Sequence, residues 1–222
     1  RARLGVAGAA LGLPWPGVIR LYRAPYSTNV ERVALALAHK GLEAESVVID
    51  YRDRSEVERV SGQPLVPVIE DDGVVVADSM AIVAHLERRH PEPPLYPRDP
   101  AARAELDVFV DWFNHVWKGP PNEIEAELSL EQPDQARIAR LSGAMGRALD
   151  RFEALLAHRD HLLSDEFSAA DCCAFPFLKY ALHRDPADDE PFHRVLDEHQ
   201  RLGDDHPRLA AWIRRVDERP RA

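Results

Sequence analysis

Residues 65–79 read Leu-Val-Pro-Val-Ile-Glu-Asp-Asp-Gly-Val-Val-Val-Ala-Asp-Ser, and this stretch decides the fold. Two apolar runs, 66–70 and 74–77, flank an Asp-Asp-Gly segment, and Asp-Gly between such runs predicts an antiparallel β-hairpin. Asp78 and Ser79 then stand where a helix N-cap belongs, ahead of an apolar stripe at helical spacing. The stretch therefore predicts a hairpin that leads directly into a helix.

The residues before this hairpin predict a parallel strand–helix–strand unit. Strand-like runs occupy 18–22 and 45–49, and the segment between them repeats its apolar residues at helical spacing until Gly41. Such a unit of about thirty residues is the size of a parallel crossover connection. With a further helix before the hairpin, the order becomes βαβαββα, which is an α/β layer.

Prolines mark the end of this layer. Five of them fall within residues 91–100, which predicts an extended linker because proline removes backbone donors and disfavours helix. Beyond the linker only helical periodicity remains, with the longest stripe over residues 138–156. We therefore predict an α/β domain over 18–90 and an all-helical bundle over 101–222.

The composition excludes several classes of protein. The 222-residue chain carries a formal charge of −10, which disfavours nucleic acid as a partner, and no apolar run is long enough to cross a membrane. Its two cysteines, Cys172 and Cys173, are adjacent and predict small core residues in a reducing, cytoplasmic setting. Residues 1–17 only loosely resemble a secretory signal, and we interpret them as an N-terminal extension.

Ser27 is the first candidate for a chemical role. Thr28 and Glu31 predict a capping box at the start of the first helix, which leaves Ser27 outside that helix with its hydroxyl free to face a ligand. The alternative is a turn or capping serine without a chemical task, the more common role for a serine at a helix start.

Two further points in the N-terminal domain suit a peptide ligand. A cis bond between Val66 and Pro67 would turn the N–H and C=O groups of Val66 outward, although a trans proline opening an edge strand is the alternative. Asp78 and Ser79 precede a helix whose N-terminal donors and dipole suit a carboxylate, with simple capping as the alternative.

These motifs together resemble those of the cytosolic glutathione transferases, which join a thioredoxin-like domain to a helical one. The resemblance covers about residues 18–217 and, with Ser27 after the first strand, points to the serine-type tau, phi and zeta classes. It implies that Val66, before cis Pro67, pairs with the cysteinyl backbone of glutathione, that Ser79 holds the γ-glutamyl carboxylate, and that Asp78 holds the ammonium group.

The resemblance also implies the role of Ser27. A free thiol has a pKa of about 8.5, so an enzyme that uses glutathione as a nucleophile must favour the thiolate. The Ser27 hydroxyl would donate a hydrogen bond to sulfur without giving up its proton. Serine cannot form a mixed disulfide, so conjugation or isomerisation is favoured over thiol–disulfide exchange.

Two positions depart from the family pattern. Thr28 follows Ser27 where a proline is common in the family. Leu65 stands where many members have a glutamine or lysine that contacts the glycyl carboxylate of glutathione. Arg54 or Arg52 is a candidate for the missing cation, because guanidinium pairs well with carboxylate; a solvated surface arginine is the alternative.

The helix predicted over 101–118 has a second apolar face. Val108, Trp112 and His115 share that face, and Tyr26 is expected to line the same cleft. The family places acceptor-binding residues on its fourth helix. The resemblance therefore implies that this face forms the wall of a hydrophobic acceptor site. Burial against another helix or against a second subunit is the alternative.

Two segments of the helical domain receive structural interpretations. Ser168 and Asp171 predict a capping box at a helix start, with a role in stability. The acids and histidines of 183–193 match no metal-ligand spacing, so we predict a solvated loop and no metal.

We therefore expect a glutathione transferase that conjugates the thiolate to a small hydrophobic electrophile, with a detoxification role and a homodimeric state implied by the family. The alternatives are a glutathione-dependent isomerase of the maleylacetoacetate type and a non-catalytic binding module of the same fold.

Overall fold

The computed structural model describes residues 18–50 and 52–222, so the extension predicted over 1–17 lies outside the described residues. The α/β layer is built as predicted. Its elements follow in the order β1 (Ile19–Arg23), α1 (Thr28–His39), β2 (Ala44–Val48), α2 (Ser55–Ser61), β3 (Val68–Asp71), β4 (Val74–Ala77) and α3 (Ser79–Arg89).

The four strands form one mixed sheet in the order β2-β1-β3-β4. β1 and β2 are parallel, which confirms the crossover unit, whereas β3 runs antiparallel to both β1 and β4. β3 begins at Val68, two residues later than predicted, because Pro67 has no N–H to donate to a ladder. The segment before β3 therefore lies outside the ladder, at the end of an internal strand.

The predicted hairpin turn is confirmed by its backbone geometry. Asp72 and Gly73, the two residues between the strands, have φ angles of 50° and 77°. A two-residue turn with positive φ at both positions matches the right-handed twist of the flanking strands, and Asp-Gly is favoured there. The turn leads β4 directly into the N-terminus of α3.

The remainder of the described chain is helical. Its elements are α4 (Pro100–Trp112), a π-helical continuation (Phe113–Trp117), α5 (Gly119–Leu128), α6 (Gln135–Leu155), α7 (Ala169–Leu178), a 3₁₀ turn (Lys179–Ala181), α8 (Pro191–His199) and α9 (Pro207–Asp217). Pro100, the last residue of the predicted linker, is the first residue of α4, because the first helical position needs no N–H donor.

One continuous core joins the α/β layer and the helices. α1 lies between the sheet and α7, and the side chains of 32–37 are buried around its whole circumference. Cys172 and Cys173 are fully buried free thiols in α7, as predicted for small core residues. The helical layer therefore covers the face of α1 that would otherwise meet solvent.

Asp171 is the main polar contact inside the helical half. Its carboxylate accepts hydrogen bonds from the N–H and hydroxyl of Ser168 at 2.9 and 3.0 Å, which confirms the predicted capping box. It also accepts from the Leu162 N–H at 3.2 Å and the Trp212 indole N–H at 2.8 Å, while the His161 ring lies 3.2 Å away. This fully buried carboxylate thus ties α7 to α9 and to the preceding loop.

The segment 183–193 differs from the predicted solvated loop. Asp188 and His193 are buried, with a carboxylate oxygen 2.8 Å from the imidazole nitrogen, and the Tyr180 hydroxyl donates to Asp188 at 2.7 Å. Three polar groups that satisfy one another are stable inside a core, which is why the acids are not all exposed. Over residues 18–50 and 52–222, no cluster of three or more His, Cys, Asp or Glu side chains is arranged to hold a metal.

No helix in the described part of the chain is both long and apolar enough to span a membrane.

We predict that Asp171→Asn lowers the free energy of unfolding by about 2 to 4 kcal/mol, because the new amide would face the Ser168 N–H with no acceptor between them. The matched control is Asp134→Asn at the exposed start of α6, where the carboxylate accepts from the Arg137 N–H at 3.0 Å. That change should cost at most about 1 kcal/mol. Urea unfolding followed by tryptophan fluorescence measures both, and equal losses would contradict the role given to Asp171.

Candidate functional site

The cleft that brings together the predicted ligand-binding residues Val66, Pro67, Asp78 and Ser79 has a volume of about 510 Å³ and lies between the α/β layer and the end of α4. Val66, Pro67, Asp78 and Ser79 line its α/β side. The start of β3 and the start of α3 meet at this point because the hairpin pairs Val68 with Ala77, the last residue of β4.

Val66 offers free backbone groups to this cleft. The Val66–Pro67 bond is cis, as predicted. Neither the N–H nor the C=O of Val66 is hydrogen-bonded within the described residues, because the β3 ladder begins only at Val68. One donor and one acceptor on an extended residue can pair with the backbone of a peptide ligand, as an added strand would.

Asp78 and Ser79 form the start of α3. The Asp78 backbone has a φ of 72°, and its carboxylate accepts from the N–H groups of Met80 and Ala81 at 3.0 and 2.9 Å. Asp78 is therefore the N-cap and also the single acid among the described residues that line the cleft. A carboxylate with about four acceptor sites can cap the helix and still accept from a ligand ammonium group.

Arg32 lies at the base of the cleft and was not anticipated from the sequence. Only 2% of its surface is exposed, and its guanidinium donates to the Ser79 hydroxyl at 3.2 Å, to the Cys173 carbonyl at 2.9 Å and to the Cys173 sulfur at 3.4 Å. Burial lowers the pKa of Arg32 from its usual value. The sequence did contain a signal for the burial of Arg32. Residues 33–38 of α1 are apolar on every face, which indicates that other elements cover both sides of the helix.

The helical side of the cleft is formed by Asn114, His115 and Lys118. These residues lie on the π-helical turn, where the Lys118 N–H bonds to the Phe113 carbonyl five residues earlier at 3.1 Å. A π turn takes up more residues than an α turn, so the phase of the faces changes there. The lining of the cleft after Trp112 therefore consists of Asn114, His115 and Lys118 and does not continue the α4 face of Val108 and Trp112.

Lys118 is held in an unusual electrostatic environment. Its ammonium lies 4.7 Å from the centre of the Phe177 ring, and the Arg32 guanidinium lies 4.6 Å from the centre of the same ring. Burial, followed by repulsion from Arg32, lowers the pKa of Lys118 to about 8. Within the described residues the Lys118 ammonium makes no hydrogen bond or ion pair, and the buried Oδ1 atom of Asn114 has no hydrogen-bond partner.

Ser27 occupies a different position from the one predicted. Its hydroxyl accepts from the Val30 N–H at 3.4 Å, so Ser27 is itself the N-cap of α1, and the capping box predicted for Thr28 and Glu31 is wrong. Ser27 and Tyr26 line a neighbouring pocket of about 190 Å³. From the first turn of α1, Asn29 is the residue that lines the larger cleft.

Three other predicted site residues lie outside both pockets. The Arg54 guanidinium donates to the Pro64 carbonyl at 3.2 Å on the rim of the α/β layer. Val108 is 68% exposed on the outer face of α4, and the Trp112 ring packs against Phe152 at 5.9 Å. Of the face predicted for the acceptor, His115 alone lines the cleft, because the π turn separates it from the α4 residues.

The arrangement suits an anionic peptide. Arg32 and Lys118 place two cations in a cleft that contains one carboxylate, within a chain of net charge −10. Fields in such partly enclosed clefts are stronger than on an open surface because water screens them less. Together with the free backbone of Val66, the cleft can hold a short peptide that carries carboxylates.

Comparison with protein families gives two matches. Residues 21–94 match the model described as glutathione S-transferase, N-terminal domain, and residues 135–215 match glutathione S-transferase, C-terminal domain. Among curated proteins, the chain is 29% identical to glutathione S-transferase Z1 of Arabidopsis thaliana, over 78% of this chain and 82% of that one. It is 28% identical to FtsZ-localized protein A of Caulobacter vibrioides, over 71% and 75% of the two chains.

Solved structures agree with these matches. A glutathione S-transferase from Rhodospirillum rubrum superposes with a TM-score of 0.72 at 26% identity, over 91% of this chain and 89% of that one. A theta class glutathione S-transferase from Xanthomonas axonopodis, with glutathione bound, superposes with a TM-score of 0.70 at 26% identity, over 93% and 95%.

We predict that Lys118→Met raises the free energy of unfolding at pH 7 by about 1 to 3 kcal/mol, an amount reduced for partial screening by solvent. The pKa of Lys118 is lower in the folded state than in the unfolded state, so its penalty is full below about pH 8 and disappears towards pH 10.5. Urea unfolding at pH 7 and pH 10 measures this gain and its loss.

Lys40→Met is the matched control. Lys40 is also buried, but its ammonium lies 2.8 Å from a Glu87 carboxylate oxygen and donates to the Pro93 carbonyl at 3.0 Å. Removing it leaves Glu87 without its charge partner, so the control should destabilise the protein. Destabilisation of similar size in both variants would contradict the account of Lys118.

Proposed function

Because the chain belongs to the glutathione S-transferase family, we propose that it binds glutathione in the 510 Å³ cleft and transfers the thiolate to a small electrophile. The observation that carries this proposal is the unpaired backbone of Val66, which faces the same cleft as Asp78 and Ser79. The proposed partner is a small molecule, and no metal takes part.

Three parts of glutathione have a matching group in the proposed complex: the cysteinyl backbone, the ammonium group and the γ-glutamyl carboxylate. The N–H and C=O of Val66 pair with the cysteinyl residue, and the Asp78 carboxylate accepts from the α-ammonium group. The Ser79 hydroxyl, already an acceptor from Arg32 at 3.2 Å, donates its own hydrogen to the γ-glutamyl carboxylate. Arg32 fixes that hydroxyl and adds a positive charge next to the same carboxylate.

The proposed reaction needs a stabilised thiolate. Lowering the thiol pKa by about two units requires roughly 2.7 kcal/mol of preferential stabilisation of the anion. Ser27 is proposed to contribute by donating its hydroxyl hydrogen, which its capping role leaves unused because capping employs an oxygen lone pair. The positive end of α1 adds to this effect.

Sulfur then attacks the electrophilic carbon. A C–S bond forms with the sulfur lone pair, and either a leaving group departs with its bonding electrons or the displaced π electrons take a proton from solvent. Ser27 keeps its proton throughout, so the hydroxyl acts as a donor and not as a base.

Isomerisation is the second candidate reaction. The chain is 29% identical to maleylacetoacetate isomerase of Mus musculus, over 65% of this chain and 69% of that one. In an isomerase, addition of the thiolate to a double bond is followed by rotation and expulsion of the same thiolate, so glutathione is not consumed. Incubating a cis-enedione with one equivalent of glutathione and measuring the remaining thiol separates isomerisation from conjugation.

A binding module without catalysis is the third candidate. Leu65 is 69% exposed on the rim of the cleft, where many family members have a polar residue, and Ser27 lies in the neighbouring pocket. Calorimetric titration separates this candidate, because a protein with no glutathione site shows no saturable heat at millimolar ligand.

The family resemblance also supports a cytosolic homodimer. Val108 and Val116 are 68% and 57% exposed on α4 and its continuation, where a second subunit would cover them. We expect sedimentation velocity to give a mass of about 50 kDa, twice that of the 25.0 kDa chain, and Val108→Asp to shift the protein towards 25 kDa. A wild-type protein that sediments as a monomer at micromolar concentration would contradict this state.

We predict that Ser27→Ala lowers kcat/KM for conjugation by at least about tenfold, because about 1.4 kcal/mol of thiolate stabilisation is lost, while the Kd for glutathione changes less than about threefold. Ser27→Thr, which keeps a hydroxyl, should retain most of the activity. The measurements are calorimetry with glutathione and conjugation of 1-chloro-2,4-dinitrobenzene. If Ser27→Ala keeps wild-type activity and Asn29→Ala loses it, the stabilisation of the thiolate would be assigned to Asn29, which lines the larger cleft.

A further inference from the structure

Lys118 is the residue of the cleft that the proposed binding of glutathione leaves unused. Asp78, Ser79 and Val66 are assigned to the γ-glutamyl and cysteinyl parts of glutathione on the α/β side, and Arg32 acts through Ser79. Lys118 lies on the opposite wall, at the end of the π turn. It belongs to the helical side, against which an acceptor molecule would lie.

The surroundings of Lys118 favour an added anion. Its ammonium and the Arg32 guanidinium contact the same Phe177 ring, at 4.7 and 4.6 Å from the ring centre, and the two positive charges repel each other. The carboxylate of Asp78 is already committed to two backbone N–H groups of α3. A carboxylate brought in by a ligand would offset this repulsion. The Lys118 ammonium would then have an anionic partner, which the described residues do not otherwise supply.

One neighbour of Lys118 offers a further contact to the ligand that carries such a carboxylate. The Phe177 ring does not, because it is only 1% exposed and lies buried against the ammonium. The buried Oδ1 atom of Asn114 has no hydrogen-bond partner and can accept from a hydroxyl or amide of the same ligand.

We propose that Lys118 determines the specificity of this site by pairing with a carboxylate of the electrophile, so that the preferred acceptors are electrophiles that carry a carboxylate. This inference rests on the proposed function, since it assigns the second substrate of the same cleft. Lys118 touches the acceptor and selects it, whereas Ser27 is proposed to act on the sulfur.

The test compares two ligands that differ in one charge. S-(4-carboxybenzyl)glutathione and its methyl ester share the tripeptide and the ring, and neither has a thiolate. Calorimetry at pH 7 should show that the wild-type protein binds the acid at least about tenfold more tightly than the ester. In Lys118→Met this preference should fall to about twofold or less, and Lys118→Arg should restore most of it.

The pH dependence provides a readout that a purely structural role would not move. The charged or titratable groups that face Lys118 are Arg32 from α1, Asp78 before α3, the Cys173 thiol from α7 and His115 from its own turn. The ligand carboxylate is ionised throughout, so the preference for the acid should decline between pH 7 and pH 10 as Lys118 loses its proton, whose pKa is about 8. In Lys118→Arg the preference should persist at pH 10, because guanidinium stays charged.

The contrary results are distinct. Equal binding of acid and ester by the wild-type protein would overturn the inference and leave the proposed function standing, because glutathione conjugates would still bind. If Lys118→Met loses affinity for glutathione itself as much as for both conjugates, Lys118 would be assigned to a carboxylate of the tripeptide. That result would also overturn the inference. Absence of binding by glutathione and both conjugates would overturn the proposed function together with the inference.

Discussion

The buried guanidinium of Arg32 is the contact on which the arrangement of the cleft depends. It starts on α1, donates to the Ser79 hydroxyl on α3, and donates to the backbone carbonyl and sulfur of Cys173 on α7. One planar group with five N–H donors can join three elements in fixed directions, which a lysine in the same place could not do. The start of α3 and the helical layer are therefore held at a set distance, and the space between them is the cleft.

This constraint also concentrates positive charge where the chain as a whole is negative. Arg32 and Lys118 contact the same ring of Phe177, and the single carboxylate of the described cleft lining is engaged in capping α3. Buried charges without a partner lower stability, so their presence in a cleft is typical of a site that a ligand completes. The unpaired backbone of Val66 and the unpaired amide oxygen of Asn114 belong to the same pattern.

Stability is supplied elsewhere, by polar groups that satisfy one another. Asp171 accepts from backbone, hydroxyl and indole donors in the middle of the helical half. Asp188, His193 and Tyr180 form a second buried set. These contacts lie away from the cleft, so the molecule separates the polar groups that stabilise the helical half from those left open to a ligand.

The sequence by itself determined the order of the strands and helices, the Asp72–Gly73 turn and the capping box at Ser168, because each depends on contacts between residues close together in the chain. The family followed from several motifs taken together, and the cis bond at Pro67 followed from the resemblance to that family. Only the tertiary structure decided that Arg32 is buried, that Ser27 caps α1 beside a separate pocket, and that His115 lines the cleft while Val108 and Trp112 do not. The reason is physical: burial of α1 on both sides depends on a helix about 140 residues away, and the π turn changes the direction of every side chain after Trp112, which no regular helical period anticipates.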